Sequence, residues 1–327
     1  MVLGPADVGH RVVVRRAVGG SADRPLFTDL LGELTALTPA ELTIATRRGT
    51  VVVPRSEVHR AKRVPARRRA TTREIVALEQ VAAAGWPAPE TERLGAWLLR
   101  AASGWTARGN SALAAGDPGL PLPAAIDAVV AWYAARGLAA AVTTPLPAAA
   151  RVAAALDARG WRAAPATLVQ TAPIAVLLPR APLPATRKLA GEQRAEVRLE
   201  PVPSAGWLAV VGERKGGLPA AARHILTSVP QVRFAHGYDD RGELCGIARG
   251  VVTDGWLGVS LMEVAPAARR RGVARQLLRA LAGWAGSAGA DRAYLQVEEG
   301  NEPAVALYAG MGFTTHHPYV TYRTPSG

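Results

Sequence analysis

The residues best placed to do chemistry lie between positions 261 and 278. The apolar run Leu261-Met262-Glu263-Val264 ends at Pro266. A basic loop, Arg269-Arg270-Arg271-Gly272, leads into Val273-Ala274-Arg275-Gln276-Leu277-Leu278, where Val273, Leu277, Leu278 and Leu281 fall on one helical face. A strand, a glycine loop and a helix start together make an anion site. The first helical turn leaves backbone N–H groups unpaired, and the helix dipole is positive there. Gly272 puts no Cβ between the backbone and a phosphate, and Arg269, Arg270 and Arg271 add charge. The guest this arrangement suits is a phosphorylated cofactor.

A second constellation follows. Beyond a strand-like segment from Asp291 to Val297 comes Asn301-Glu302-Pro303-Ala304-Val305-Ala306-Leu307-Tyr308, then Gly310-Met311-Gly312-Phe313. Arg269-x-x-Gly272-x-Ala274, followed by Asn301, Ala304, Leu307, Tyr308, Gly312 and Phe313 at these spacings, resembles the GNAT acetyltransferase superfamily. The resemblance implies an α/β (α+β) GNAT fold with a mixed, mostly antiparallel sheet, and acetyl-CoA as the acetyl donor with coenzyme A as product. It further implies that the backbone of Met262 and Val264 pairs with the pantetheine arm. Residues Arg269 to Arg275, with Gly272, Val273 and Ala274 among them, would hold the pyrophosphate. Asn301 would contact the arm, and Tyr308 would protonate the leaving sulfur. Each role has a plainer alternative: Asn301 as a helix N-cap, Tyr308 as a core aromatic, and arginines that only face water.

The general base is the weak point of the resemblance. Where some family members carry a glutamate on the fifth strand, this chain has Gln296, and where others carry one on the fourth, it has Gly258. Glu263 is a candidate base or substrate anchor, expected by strand alternation on the face opposite Gly258. Glu298 and Glu299 follow the fifth strand and are expected to be solvent-exposed, and a water relay to a distant carboxylate is a further option. His224, His236, His316 and His317 are scattered, and no metal site is expected.

The 327 residues are enough for two or three domains with sizeable cores, and nearly half are apolar. No apolar run approaches a membrane span of roughly 20 residues. Asp7, Arg11, Arg15 and Arg16 interrupt any signal-peptide core, and a single cysteine, Cys245, leaves no internal disulfide. A cytoplasmic enzyme is expected. The net charge of +13 is uneven: residues 1–73 carry 14 Lys/Arg against 6 Asp/Glu. Any polyanion contact therefore belongs to this N-terminal segment, against the alternative of a basic solvated surface. Strand-like runs at Arg11–Val18, Phe27–Leu37, Glu41–Arg48 and Thr50–Val53, broken by Gly19-Gly20 and Thr38-Pro39, predict a small SH3-like β-barrel over residues 1–65. Arg60 to Arg73 reads as a basic linker.

The remainder carries a diverged internal repeat. At an offset of 152, Trp132 matches Trp284, Gly137 matches Gly289, and Gly160-Trp161 falls on Gly312-Phe313. The first copy has Pro118-Gly119-Leu120-Pro121 in place of the arginine loop, Leu156 for Tyr308 and Ala149 for Asn301. Prolines offer no N–H to a phosphate. A degenerate GNAT-like domain is therefore expected over residues 72–182 and an active one over 190–327, joined by the Pro-rich Pro179–Pro184. Arg108, Asn110 and Ser111, at the expected fourth strand of the first copy, could line a shared cleft or simply end a polar strand. The combined expectation is an acetyl-CoA-dependent N-acetyltransferase acting on a small-molecule or peptide amine. The alternatives are a cofactor-sensing protein that contacts a partner through its basic N-terminal segment, and a nucleic-acid-binding module, which would leave the C-terminal constellation unexplained.

Overall fold

The computed structural model describes residues 3–21, 24–46, 49–64, 69–178 and 195–325. The chain forms two compact units, Met1–Arg69 and Ala70–Gly327.

In the first unit, β1 (Arg11–Ser21), β2 (Arg24–Leu37), β3 (Glu41–Thr46), β4 (Gly49–Pro54) and β5 (Val58–Arg63) form an antiparallel sheet in the order β4-β3-β2-β1-β5. Period-two alternation sends Val12, Val14, Leu34, Leu42, Ile44 and Val53 into its core. The expected barrel is not closed: β4 and β5 are the two edges, and no pairing joins them among the described residues. The expected break at Gly19-Gly20 is instead a bulge. The β1–β2 register shifts between Ala17 and Gly19, where Gly19 has φ 140°, and the strand continues to Ser21. The basic linker is corrected as well. Arg60, Lys62 and Arg63 belong to β5, where exposed cations flank the buried Ala61; residues 65–68 of that stretch lie outside the described residues.

The second unit opens with α1 (Thr72–Ala84), whose N-cap Thr71 and Glu74 cap each other's backbone in a reciprocal box. There follow β6 (Glu90–Leu94), β7 (Trp97–Ala101), β8 (Ala112–Leu113), α2 (Leu122–Ala134), β9 (Ala141–Pro145), α3 (Ala150–Ala158), β10 (Arg162–Ala163), β11 (Thr167–Pro173) and α4 (Ile174–Leu177). The Pro179–Pro184 joint lies outside the described residues. The chain resumes with β12 (Glu196–Glu200), α5 (Ala205–Lys215), α6 (Ala220–Thr227), β13 (Val232–Tyr238), β14 (Leu244–Thr253) and β15 (Trp256–Val264). It ends with α7 (Val273–Ser287), β16 (Arg292–Glu298), α8 (Glu302–Ala309) and β17 (Thr314–Arg323).

These strands make one mixed sheet in the order β12-β13-β14-β15-β16-β11-β17-β9-β8-β7-β6, with β10 on β17. Each half contributes one parallel pair, β8–β9 and β15–β16, among otherwise antiparallel neighbours. The fourth strand of the first half is shorter than the sequence suggests. Arg108–Asn110 form a 3-10 turn and β8 keeps only two residues. The halves also exchange their last long strands: β11 lies between β16 and β17, and β17 pairs with β9.

Helix α7 buries its predicted stripe of Val273, Leu277, Leu278 and Leu281 against one sheet face, in a core shared with Leu257, Leu295, Tyr308 and Phe313. The other face carries Phe234, Ile247 and Val251, covered by Trp207 of α5, by Ile225 of α6, and by Trp86 and Trp105. Arg249 is fully buried on this side. Its guanidinium donates to the carbonyls of Leu226 at 3.0 Å, Ile225 at 2.9 Å and Gly85 at 3.1 Å. A planar fork of donors can serve three carbonyls from two chain segments at once, which an ammonium on a flexible stem does less well. Burial lowers its pKa, and the three carbonyls offset that desolvation.

Candidate active site

The site begins where β15 and β16 stop running together. They pair in parallel from Trp256 opposite Arg292 to Val259 opposite Leu295, and no further. At that point β15 also bulges. Its register with β14 shifts between Ile247 opposite Glu263 and Arg249 opposite Ser260, and Leu261 has φ 53°. An extra residue in one strand re-aims every side chain beyond it. Leu261 packs into the core containing Trp207 and Phe234, whereas Met262 and Val264 pack against the α7 core.

The bulge corrects one expectation. Gly258 is opposite Val251 and Glu263 is opposite Ile247, and these two β14 residues point into the same core. Glu263 therefore shares a face with Gly258. There it forms an ion pair with Arg214 near the C-terminus of α5. Gly258 itself has no room for a side chain: a Cβ would fall 2.6 Å from Cζ of Tyr294, whose ring lies across the strand. Burial pushes the Tyr294 hydroxyl up to about 12.

On the α7 face, a 3-10 turn at Pro266–Ala268 leads into the arginine loop. Arg269 donates its Nε–H back to the Val264 carbonyl at 3.2 Å, tying the loop to the strand end. Arg270 at φ 60° and Gly272 at φ 85° both take left-handed backbone conformations, which turn the chain sharply into α7. Gly272 is the N-cap and offers no side chain to the first turn. The amides of Val273, Ala274 and Arg275 thus have no intrahelical acceptor. Arg269, Arg270, Arg271 and Arg275 are exposed around them.

Tyr308 is 9% exposed. Its ring meets Phe313 edge-on at 5.9 Å, and its hydroxyl donates to Met262 Sδ at 3.9 Å. Burial raises its pKa, so the phenol holds its proton. Asn301 N-caps α8, its side-chain oxygen accepting from the Ala304 N–H at 3.3 Å. The structure thus brings Met262, Val264 and Tyr308 together on the α7 face and puts Glu263 on the other.

Of the three first-half residues expected to line a shared cleft, only Arg108 does so, and the rest of the opposite wall was not foreseen from the sequence. A cavity of about 230 Å³ opens at the splay, lined by Trp86, Arg108, Lys215, Ser260, Gln296 and Tyr319, with Glu298 as the only carboxylate among the described lining residues. Arg108 comes from the first half. It donates to Gln296 Oε1 and lies 4.5 Å over the Trp86 ring. Asn110 instead holds its own turn, accepting from the Ala102 and Gly104 amides, each at 2.9 Å, and Ser111 is buried. The one signal for Arg108 was its place in the first copy's fourth strand, and nothing in the sequence joins it to Gln296. His317 is a core residue, its Nε2 2.8 Å from buried Glu79. Among the described residues no cluster of His, Cys, Asp or Glu is arranged to hold a metal.

The sequence model of the family described as "Probable histone acetyltransferase Rv0428c C-terminal" matches residues 72–322. The chain belongs to this acetyltransferase family. A "Probable histone acetyltransferase Rv0428c" from Mycobacterium tuberculosis is 31% identical over 338 residues, covering 95% of this chain and 93% of that protein. An "Uncharacterized N-acetyltransferase YobR" from Bacillus subtilis is 28% identical over 252 residues, covering 75% and 97%. Among solved structures, a GCN5-related N-acetyltransferase from Kribbella flavida superposes with a TM-score of 0.58 at 18% identity, covering 78% of this chain and 96% of that one. The acetyltransferase is of the GNAT type, with the mixed sheet of that fold.

Gly258→Ala tests whether the Tyr294 ring sets the shape of the splay. The added methyl is expected to destabilise the protein by about 1–3 kcal/mol, the range for overpacking a close-packed interior. A urea titration that shows no loss would mean the ring moves aside freely.

Proposed function

We propose that this chain transfers the acetyl group of acetyl-CoA to an amine at one site, in its second half. The observation that carries this reading is the uncapped start of α7, behind the left-handed Gly272, set beside a bulged strand end that faces a protonated, buried tyrosine. Acetyl-CoA supplies the activated acetyl thioester and a pyrophosphate to be held. The first-turn amides of α7 and the arginine loop suit the pyrophosphate. Backbone groups of Met262 and Val264, at the strand edge that β16 leaves, suit the amide-bearing arm. Asn301 borders the same side while capping α8.

The chain must also move two protons. Tyr308 gives one to the leaving sulfur, and its buried phenol keeps that proton through the neutral range. The acceptor ammonium must lose one before its nitrogen lone pair can form the C–N bond as the C–S bond breaks. Gln296 cannot take it. Glu263 is occupied by Arg214, and Glu298 lines the cavity. We assign proton removal to Glu298 and an anchoring role for the α5 end to Glu263.

The first half is a degenerate copy. Its helix α2 starts behind Pro118-Gly119-Leu120-Pro121, which has two prolines and no arginine, and buried Leu156 of α3 takes the sequence position that Tyr308 has in α8.

Calorimetry with acetyl-CoA should give one site per chain, and Gly272→Asp should abolish it by adding a carboxylate and a strained Cβ to the phosphate cradle. Two equivalent sites would refute the single-site reading. Tyr308→Phe should bind acetyl-CoA as the parent does while kcat falls at least about tenfold, the low side of what general acids contribute; an unchanged kcat would reduce Tyr308 to packing. Glu298→Gln should lower kcat more than Glu263→Gln does, and the reverse order would move the base to Glu263.

A further inference from the structure

The cavity at the splay carries a polar pattern that acetyl transfer by itself does not require. Arg108 makes no ion pair among the described residues; its one hydrogen-bond partner is the neutral Gln296. Its Nε–H is buried without a partner. The side-chain amide of Gln296 is oriented by its surroundings. Arg108 and the Tyr319 hydroxyl, the latter at 3.4 Å, both donate to Oε1, so Nε2 is the donor end. That Nε2 is also buried without a partner, and so is the Ser260 hydroxyl. Lys215 is on the same wall, its pKa lowered by burial and by Arg214 and Arg108.

Three residues that line one cavity thus each hold a polar group buried without a partner, and Lys215 lines the same cavity. Buried donors left unpaired are costly and uncommon in folded proteins. A group rich in acceptor oxygens relieves all three at once. A carboxylate does so with two oxygens, in the planar geometry that a guanidinium and an adjacent amide N–H recognise. A lone alkylamine offers these donors nothing, and a lysine-rich chain adds positive charge beside Arg108, Lys215 and Arg214.

We propose that the acceptor is an amine that itself carries a carboxylate, such as an amino acid or a related zwitterion. Arg108, Gln296 and Ser260 receive the carboxylate, and Glu298 stands on the same wall to meet the ammonium. Arg108 is thus a specificity-determining residue lent to the active half by the degenerate one. The inference rests on the reading of this site as an acetyl-CoA-dependent N-acetyltransferase.

The test uses the full chain, with release of free coenzyme A thiol as readout. Matched acceptors are compared: amino acids with free carboxylates, the same compounds as carboxamides, and a lysine-rich peptide. Acetyl-CoA affinity is measured in parallel by calorimetry. The carboxylate form should exceed its carboxamide at least about tenfold in kcat/KM. Arg108→Gln should shrink that ratio on the order of ten- to a hundredfold, as expected for loss of a hydrogen bond to a charged group, with acetyl-CoA affinity retained. Arg108→Lys should recover part of the ratio through charge alone. Equal turnover of acid and amide, preference for the peptide, or a ratio unmoved by Arg108→Gln would overturn the proposal. So would acetyl-CoA binding without turnover of any carboxylate-bearing amine. Failure to bind acetyl-CoA would overturn the acetyltransferase reading itself and the proposal with it.

Discussion

Everything at the site depends on β16 being held on one side while it is released on the other. It pairs with β11 along its whole length, from Thr167 opposite Glu298 to Pro173 opposite Arg292. It pairs with β15 over only four positions. A strand saturated along one edge cannot swing across to close a gap on the other without breaking its ladder. The gap between β15 and β16 is therefore set by strand register. β11, the strand that pins β16, comes from the first half of this unit. Without β11, one edge of β16 would be bare and the splay unsupported.

The bulge at Leu261 then divides the work between two faces. Beyond it, Met262 and Val264 turn to the α7 face, where the arginine loop and Tyr308 lie, and Glu263 turns to the α5 face. One extra residue thus separates the face of the arginine loop from the face of the polar cavity. The polar cavity is built from distant segments: Trp86 and Arg108 from the first half, Lys215 from α5, Gln296 from β16 and Tyr319 from β17.

Buried polar groups hold the walls of that cavity in place. Arg249 ties the loop after α1 to the end of α6 through three carbonyls. His317 of β17 meets Glu79 of α1 at 2.8 Å, both out of solvent. Such contacts repay their desolvation only when the partners are well placed, so they specify an arrangement more than they add net stability. Here the arrangement fixes α1 and Trp86 over the sheet, and with them the surface on which Arg108 lies.

The sequence by itself determined what depends on local spacing. Helix α7 and its apolar stripe follow from the 3.6-residue period, the end of β15 from the apolar run before Pro266, and β16 from the strand-like segment after Asp291. The sharp turn into α7 follows from one glycine among arginines, and the cap of α8 from Asn301. Tertiary structure decided whatever required residues far apart in the chain to meet. Strand exchange cannot be read from either half, because the pattern that makes β11 a strand does not say which edge it joins. The bulge reversed the face assigned to Glu263, since alternation counts residues and cannot see that one has been inserted. Four of the five N-terminal strands were legible, β5 having read as linker, but the failure of the sheet to close was not, because closure depends on pairing between β4 and β5 at its opposite edges. Arg108 and Gln296 are separated by 188 positions, and only the folded sheet makes them neighbours.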